Sequence, residues 1–283
     1  ANPLPSFRKW KDNSINLMKN ILVETGLVNR FNVFVIWHNW TLIFIVFKYA
    51  HFFSDKYSML ERINTKIDAK SIFDITKQLP PGKNVLNKPT GDFFYDEWKL
   101  EDKWVGTPVE DLLSQLPNHG EARVIVLSPG QSYCAHADID DRWHITLDAE
   151  QSYLIDLDNN KNYKLEVDDE VYVMDSGRIH TATNFGFKPR YQLVIRKLLK
   201  RNTLQDSVTA KIELIDPPYN VRYLFDKSFS ILLNKLEKEG KINNFRRTNN
   251  NSIALDIEKD EVQQLIDLEK TCGFKYKIIY GKF

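Results

Sequence analysis

The segment CAHADIDDRWHITL, residues 134–147, places two histidines, three aspartates and one arginine within fourteen positions. It follows an apolar ARVIVL and runs into the strand-like HITL. Strand interiors exclude so many titratable groups unless something pairs with them, because burying an unpaired charge is costly. Side chains alternate faces along a strand, so His136 and Asp138 project to the same side and can hold one cation. DSGRIHTATN supplies a third ligand in His180, which stands 44 residues after His136. Two imidazoles and one carboxylate on one face, with open positions opposite, suit a metal that must also bind other ligands.

Arg190 follows His180 by ten positions and begins RYQLVI. Its fork of donors matches a carboxylate bidentately. Arg190, Gln192 and Val194 share a strand face, so the arginine can point into a barrel whose rim holds the metal. It would then anchor the far carboxylate of an anionic cosubstrate chelating that metal. Asp140 and Asp141 fit a solvated turn, and Cys134 fits a small core position. Asn184 fits turn chemistry, or a contact that orients His180 or touches substrate.

The elements that must position these groups fall into three regions. Residues 1–85 are aromatic-rich and expected to be mainly helical, ending in the breaker LPPGKN. Residues 86–205 carry short strands, among them ARVIVL, RWHITL, SYLIDL, NYKLEV, EVYVMD and RYQLVIRKLL, separated by SPGQ, LDNNKN and DSGR. That spacing predicts an antiparallel sandwich or barrel. Residues 206–283 read as strand, helix, strand, helix, strand, a small α/β domain whose first helix Gly240 can stop. The fold class expected is α+β.

The chain has 283 residues, a net charge of +1 and 42% hydrophobic residues, enough for one large or two modest cores. Near-neutral charge argues against a nucleic-acid binder. Cys134 and Cys272 form no disulfide framework, and no signal-peptide pattern opens the chain, so a cytoplasmic location is expected. Residues 33–47, VFVIWHNWTLIFIVF, are short for a membrane span and carry His38, Asn39 and Thr41. A buried helix or two core strands meeting near Asn39 is the favoured reading, with a membrane anchor the alternative.

His136-x-Asp138, His180 and Arg190 together resemble the pattern of Fe(II)- and 2-oxoglutarate-dependent dioxygenases. More narrowly, LSPGQSYCAHADIDDRWHITL resembles the aspartyl/asparaginyl (and proline) β-hydroxylase family, with its Pro-Gly turn, first metal histidine and Arg-x-His on the next strand. TPVEDLLSQLPNHGEARVIVL reads like that family's lead-in helix and first barrel strand. The resemblance covers about residues 105–200. It implies a double-stranded β-helix (jelly-roll, cupin-like) core with Fe(II) on His136, Asp138 and His180. It further implies that 2-oxoglutarate is held by Arg190, His144 and Arg142, and that dioxygen is a cosubstrate. The reaction implied is hydroxylation of an amino acid or a peptidyl Asp/Asn/Pro-type side chain, releasing succinate and CO2. Some members lack the carboxylate ligand; this chain keeps Asp138.

Two rivals remain open: a cupin-like domain that binds a metal or small acid without turnover, and a metal-dependent isomerase or hydrolase. The C-terminal domain carries no candidate metal or cosubstrate group. It is expected to be either a platform for a macromolecular substrate, the favoured role, or a structural buttress or dimer surface.

Overall fold

Antiparallel strands make up most of the structure, a computed structural model that describes residues 58–215, 221–249, 251–272 and 275–282, with side chains outside 221–228, 269 and 271–272. The apolar run 33–47 and the rest of the chain up to residue 57 lie outside the described residues.

In chain order the first elements are β1 (Leu60–Lys66), α1 (Ala69–Thr76), β2 (Gly82–Val85), β3 (Asn87–Pro89), β4 (Trp98–Leu100) and α2 (Pro108–Gln115). There follow β5 (His119–Leu127), β6 (Arg142–Asp148), β7 (Ser152–Asp156), β8 (Lys161–Lys164), β9 (Glu170–Met174), β10 (His180–Asn184) and β11 (Arg190–Lys197). The last are β12 (Ser207–Leu214), α3 (Val221–Lys238), β13 (Ile242–Asn249), β14 (Ser252–Glu258), α4 (Val262–Cys272) and β15 (Tyr276–Tyr280).

A six-stranded sheet runs β1-β9-β6-β11-β5-β2, and a smaller one runs β10-β7-β8. The segment 131–136 extends the smaller sheet through bridges from Ser132 to Thr183 and from His136 to His180. From β5 onward, counting that segment as a strand, the first, third, sixth and eighth strands lie in the large sheet and the others in the small one. This distribution is compatible with a jelly roll.

The expected mainly helical stretch through residue 85 is corrected where the structure describes it. Only α1 is helical there; β1 pairs with β9, and β2 pairs with β5. Both strands lie at the edges of the large sheet. Edge strands tolerate charge, so LERINTK shows no apolar run of the kind that marks a buried strand. The polar INNFRRTN of β13 escaped sequence reading for the same reason: it is the edge of the C-terminal sheet, β13-β14-β12-β15.

The two faces of the large sheet differ in chemistry. Trp143, Ile145, Leu147, Leu193 and Ile195 form one apolar face with Val124 and Val126, covered by Ala69, Ile72, Val109, Leu112 and Leu113 of α1 and α2. Thr107 caps α2 by accepting from Val109 N, and Pro108 opens the helix without losing a backbone bond. Alternation then sends Arg142, His144, Thr146, Arg190, Gln192, Val194 and Arg196 to the opposite face. Register aligns them, with Arg196 beside Arg142, Val194 beside His144 and Gln192 beside Thr146. The helices thus take the apolar side and leave a polar lumen between the sheets.

The C-terminal sheet shares a hydrophobic core with the rest of the chain. Tyr95, Ile139 and Leu199 pack with Ile212, Phe229, Leu233, Leu236, Phe245 and Leu255. Gly240, at φ +73°, ends the helical run beyond α3 in a conformation that a side chain would oppose.

Candidate metal centre

His136 and His180 are fixed by their own backbones. Each donates its amide N–H to the other's carbonyl, at 2.9 and 2.8 Å. His136 Nδ1 lies 2.9 Å from Cys134 O, and His180 Nδ1 lies 2.8 Å from Arg178 O. A carbonyl only accepts, so both Nδ1 atoms carry the proton and both Nε2 atoms offer a lone pair. Asp138 N donates to Ser176 O at 2.7 Å, tying the aspartate's loop to the turn before His180.

These constraints bring the three side chains together. Asp138 Oδ2 lies 3.6 Å from His136 Nε2 and 3.8 Å from His180 Nε2. One ligand atom from each residue falls within 4.8 Å of the others, and they are the only such metal-competent group among the described residues. Asp138 Oδ2 is buried and has no hydrogen-bond partner, while Oδ1 receives Arg142 Nη2 at 2.6 Å. An orphaned carboxylate oxygen facing two imidazole lone pairs fits a divalent cation, which would satisfy all three at once. Burial alone would raise the Asp138 pKa, but Arg142, His136, His180 and Arg196 outweigh it and hold the carboxyl ionised.

Burial, reinforced by His136 and opposed by Asp138, pushes His180 down to about 4. It is therefore neutral, as a ligand must be, at neutral pH. A histidine in the unfolded chain titrates near about 6.5. Between those values the unfolded chain binds the extra proton. Metal-free protein accordingly keeps this contribution above about pH 6.5 and loses it as pH falls toward 4, by up to roughly 3 kcal/mol at ~1.4 per unit. Urea denaturation at pH 7 and pH 4.5 checks this, and His180→Asn should flatten the difference.

Beyond the triad lies Arg190, 0% exposed. Its Nη2 donates to the Tyr133 hydroxyl, and its guanidinium carbon sits 5.3 Å from the centre of that ring. Nε and Nη1 have no partner. His144 is buried with neither ring nitrogen bonded, and Gln192 Nε2 is likewise orphaned. Burial first, then Arg142, His180, Arg190 and Arg123, keep His144 far below the usual histidine range, so it is neutral. Donors are thus left unmade where water is excluded, and an anion would complete them.

The other predicted residues divide. Arg142 is buried; its Nη2 lies 2.6 Å from Asp138 Oδ1 and its Nε 3.7 Å from Asp140 Oδ2. Asp140 is 2% exposed, which overturns the solvated turn; Arg196 grips it through Nε at 2.7 Å. Cys134 is exposed and not a core residue. Asn184 is buried and pins the β10–β11 connection, donating to Leu127 O and Lys188 O and accepting from Gly186 N. Arg196 shares the strand parity of Arg190 and is the alternative anchor that sequence offers; the structure gives it to Asp140. Sequence reasoning missed Tyr133 and Arg123, and nothing in the sequence marks Tyr133.

No family model and no curated protein matches this chain. Among solved structures it is similar to the crystal structure of CapF with inhibitor 3-isopropenyl-tropolone, at 11% identity and a TM-score of 0.26. The match covers 40% of this chain and 31% of that one, so this chain spans about a third of that protein's length. A likeness so slight bears on neither fold nor function. The site's own geometry is what speaks to its chemistry.

Two contacts tie that geometry to the C-terminal domain. Asn234 of α3 donates to Ile139 O at 2.9 Å, next to Asp138. Its amide also fills the space over Gly177, where an added Cβ would meet Oδ1 at 2.2 Å. One turn later, Lys238 reaches Asp141 and Asp175 at 3.0 and 2.6 Å. Helix α3 therefore presses on the loop that carries Asp138 and on the turn that leads into His180.

Proposed function

We propose that the chain is an Fe(II)- and 2-oxoglutarate-dependent dioxygenase built on a double-stranded β-helix. It hydroxylates a C–H bond of an amino acid or of a peptidyl Asp/Asn/Pro-type side chain. The observation that carries this reading is Arg190: a wholly buried guanidinium with two unsatisfied nitrogens, in the lumen that the metal triad borders. A bare metal-binding domain has no use for such a group, whereas a cosubstrate with a second carboxylate does.

His136, Asp138 and His180 would hold the iron, which when bound supplies oxidative decarboxylation of 2-oxoglutarate and transfer of oxygen to the substrate. The chain's own residues do the rest. The Nδ1 bonds to Cys134 O and Arg178 O fix both imidazoles with Nε2 forward. Arg142 holds Asp138 Oδ1, leaving Oδ2 for the ion. Arg190 and neutral His144 present donors to the distal carboxylate, and the surrounding sheets exclude water.

The test is succinate release with Fe(II), dioxygen and 2-oxoglutarate present. Wild-type protein is expected to form succinate, slowly even without a substrate. The double variant His136→Ala/His180→Ala should form none and bind no iron. Because Asp138 fills a position that a halide would need, the product should be hydroxylated and not chlorinated. Metal binding without succinate would leave a cupin-like binding domain as the better reading.

A further inference from the structure

A cavity of about 420 Å³ lies where the C-terminal domain meets the loops 92–94 and 138–142, within the roughly 300–1,000 Å³ usual for small-molecule sites. Its floor is apolar and buried: Phe229 and Leu233 of α3, Phe245 of β13 and Ile253 of β14. Phe93 and Phe94 complete the wall, with Phe94 edge-on to Phe93 and to Phe245 at 4.9 and 4.8 Å between centres. Phe93 is 38% exposed, so the aromatic wall reaches solvent and a ligand can enter along it. The cavity is a place apart from the metal. Asp138 belongs to its lining, but the Oδ2 that faces the histidines is buried, and neither His136 nor His180 lines it.

The charged groups of the lining are already committed. Asp138 Oδ1 receives Arg142 Nη2 at 2.6 Å, and Asp140 receives Arg196 Nε at 2.7 Å. Arg196 also lies over the rings of Phe93 and Phe94, at 4.6 and 4.9 Å. Asp92 accepts from the amides of Phe94 and Tyr95. Arg246 donates to Asn244 O at 3.3 Å, and neither it nor Arg247 is without a partner. An ionised ligand would leave water for a wall with no counter-charge to spare, and desolvating an unpaired charge is costly. An uncharged aromatic ring avoids that cost, gains from the buried floor and can pack against edge-on phenylalanines. Ser230 of α3 is the one neutral polar side chain in the lining. Its hydroxyl makes no hydrogen bond among the described residues, so it can donate or accept one from a ligand.

We infer that this cavity is a binding site for a small, uncharged aromatic molecule carrying one hydrogen-bonding group, its ring against the phenylalanines and its polar group at Ser230. The inference goes beyond the dioxygenase reading and does not rest on it, because the site stands apart from the triad and its test needs no turnover. It gives the C-terminal domain a part in ligand recognition, since α3, β13 and β14 supply the floor.

The experiment titrates the full chain with 2-naphthol, which is uncharged at pH 7, and reads binding by ligand-observed NMR. The naphthol is expected to bind, and 2-naphthoate, similar in shape but ionised, at least roughly tenfold more weakly, because its charge finds no partner. Ser230→Trp should fill the cavity and abolish naphthol binding. Phe93→Ala, at the exposed rim, removes one ring of the wall and should weaken binding by roughly three- to tenfold. The inference is overturned if the naphthol does not bind, if the naphthoate binds as tightly, or if Ser230→Trp binds the naphthol as the wild type does. That last result would place the binding elsewhere on the surface. Should Ser230→Trp not fold, Phe93→Ala decides, and an unchanged affinity there overturns the inference.

Discussion

Arg190→Met raises the 2-oxoglutarate concentration needed for half-maximal succinate formation by roughly ten- to a hundred-fold and leaves iron binding intact. The range is one charge-assisted interaction of about 1.5–3 kcal/mol, at ~1.4 kcal/mol per tenfold. Methionine keeps much of the buried volume but none of the donors. Stability should move the other way, or not at all. Arg190 is paired only with the Tyr133 hydroxyl, and burial, opposed by that tyrosine, lowers its pKa. A buried cation with two unmade bonds costs the folded protein free energy that an apolar isostere does not. Arg196→Met provides the contrast. Arg196 holds Asp140 most closely, with Arg142 Nε 3.7 Å away, so its loss leaves a buried carboxylate weakly paired and should destabilise by about 3 kcal/mol. Thermal unfolding and a 2-oxoglutarate titration on both variants check this. If Arg190→Met unfolds early and titrates like wild type, Arg190 is a structural residue and the cosubstrate site lies elsewhere. Arg190→Lys should recover only part of the affinity, because an ammonium lacks the planar fork.

His136, Asp138 and His180 were legible as a group able to hold a metal, and the structure brings one ligand atom of each within 4.8 Å of the others, though a loop with an isolated bridge, not a regular strand, carries the first two. Arg190 had to alternate with the apolar positions that the helices cover. What was not legible depends on partners remote in sequence. Asp140 and Asp141 look alike in IDDRW, yet Arg196, 56 residues on, draws one of them out of water. Resemblance assigns Arg142 to the cosubstrate, and the structure gives its Nη2 to Asp138, four positions back. Edge strands β1, β2 and β13 were lost to their polarity, since period-two patterning needs a buried face and an edge gives it only half. The C-terminal elements are readable one by one, but nothing in their residues says that Asn234 sits against Ile139 and Gly177.

That contact bears on the last eighty residues: a chain ended at Lys200 should neither stay soluble nor bind metal. The expectation from sequence favoured a platform needed for coupled hydroxylation but not for folding or iron binding. The structure opposes it on two grounds. Ile139, Tyr95 and Leu199 are buried in a core whose other members lie beyond residue 200, so truncation strips their cover. Tyr95 would also lose Phe245 N, which donates to its hydroxyl at 2.8 Å. The second ground is more specific. Ile139 O, adjacent to Asp138, accepts from Asn234, and Asp138 N is bonded to Ser176 O beside Gly177, on which Asn234 rests. One side chain thus braces the Asp138 loop and the turn that leads into His180, and loss of such outer support typically costs roughly ten- to a hundred-fold in metal affinity. Insolubility of the truncated chain would not separate these causes, so the finer test keeps the domain. Asn234→Leu in the full chain removes the donor while filling the site. It should weaken Co(II) binding, read from the ion's visible absorption, by about tenfold or more, while Asn234→Gln rescues only if its longer amide can still reach Ile139 O. Gly177→Ala should act in the same direction by displacing Asn234. A soluble chain ending at Lys200 with unchanged Co(II) affinity would restore the platform and remove Asn234 from any role at the metal.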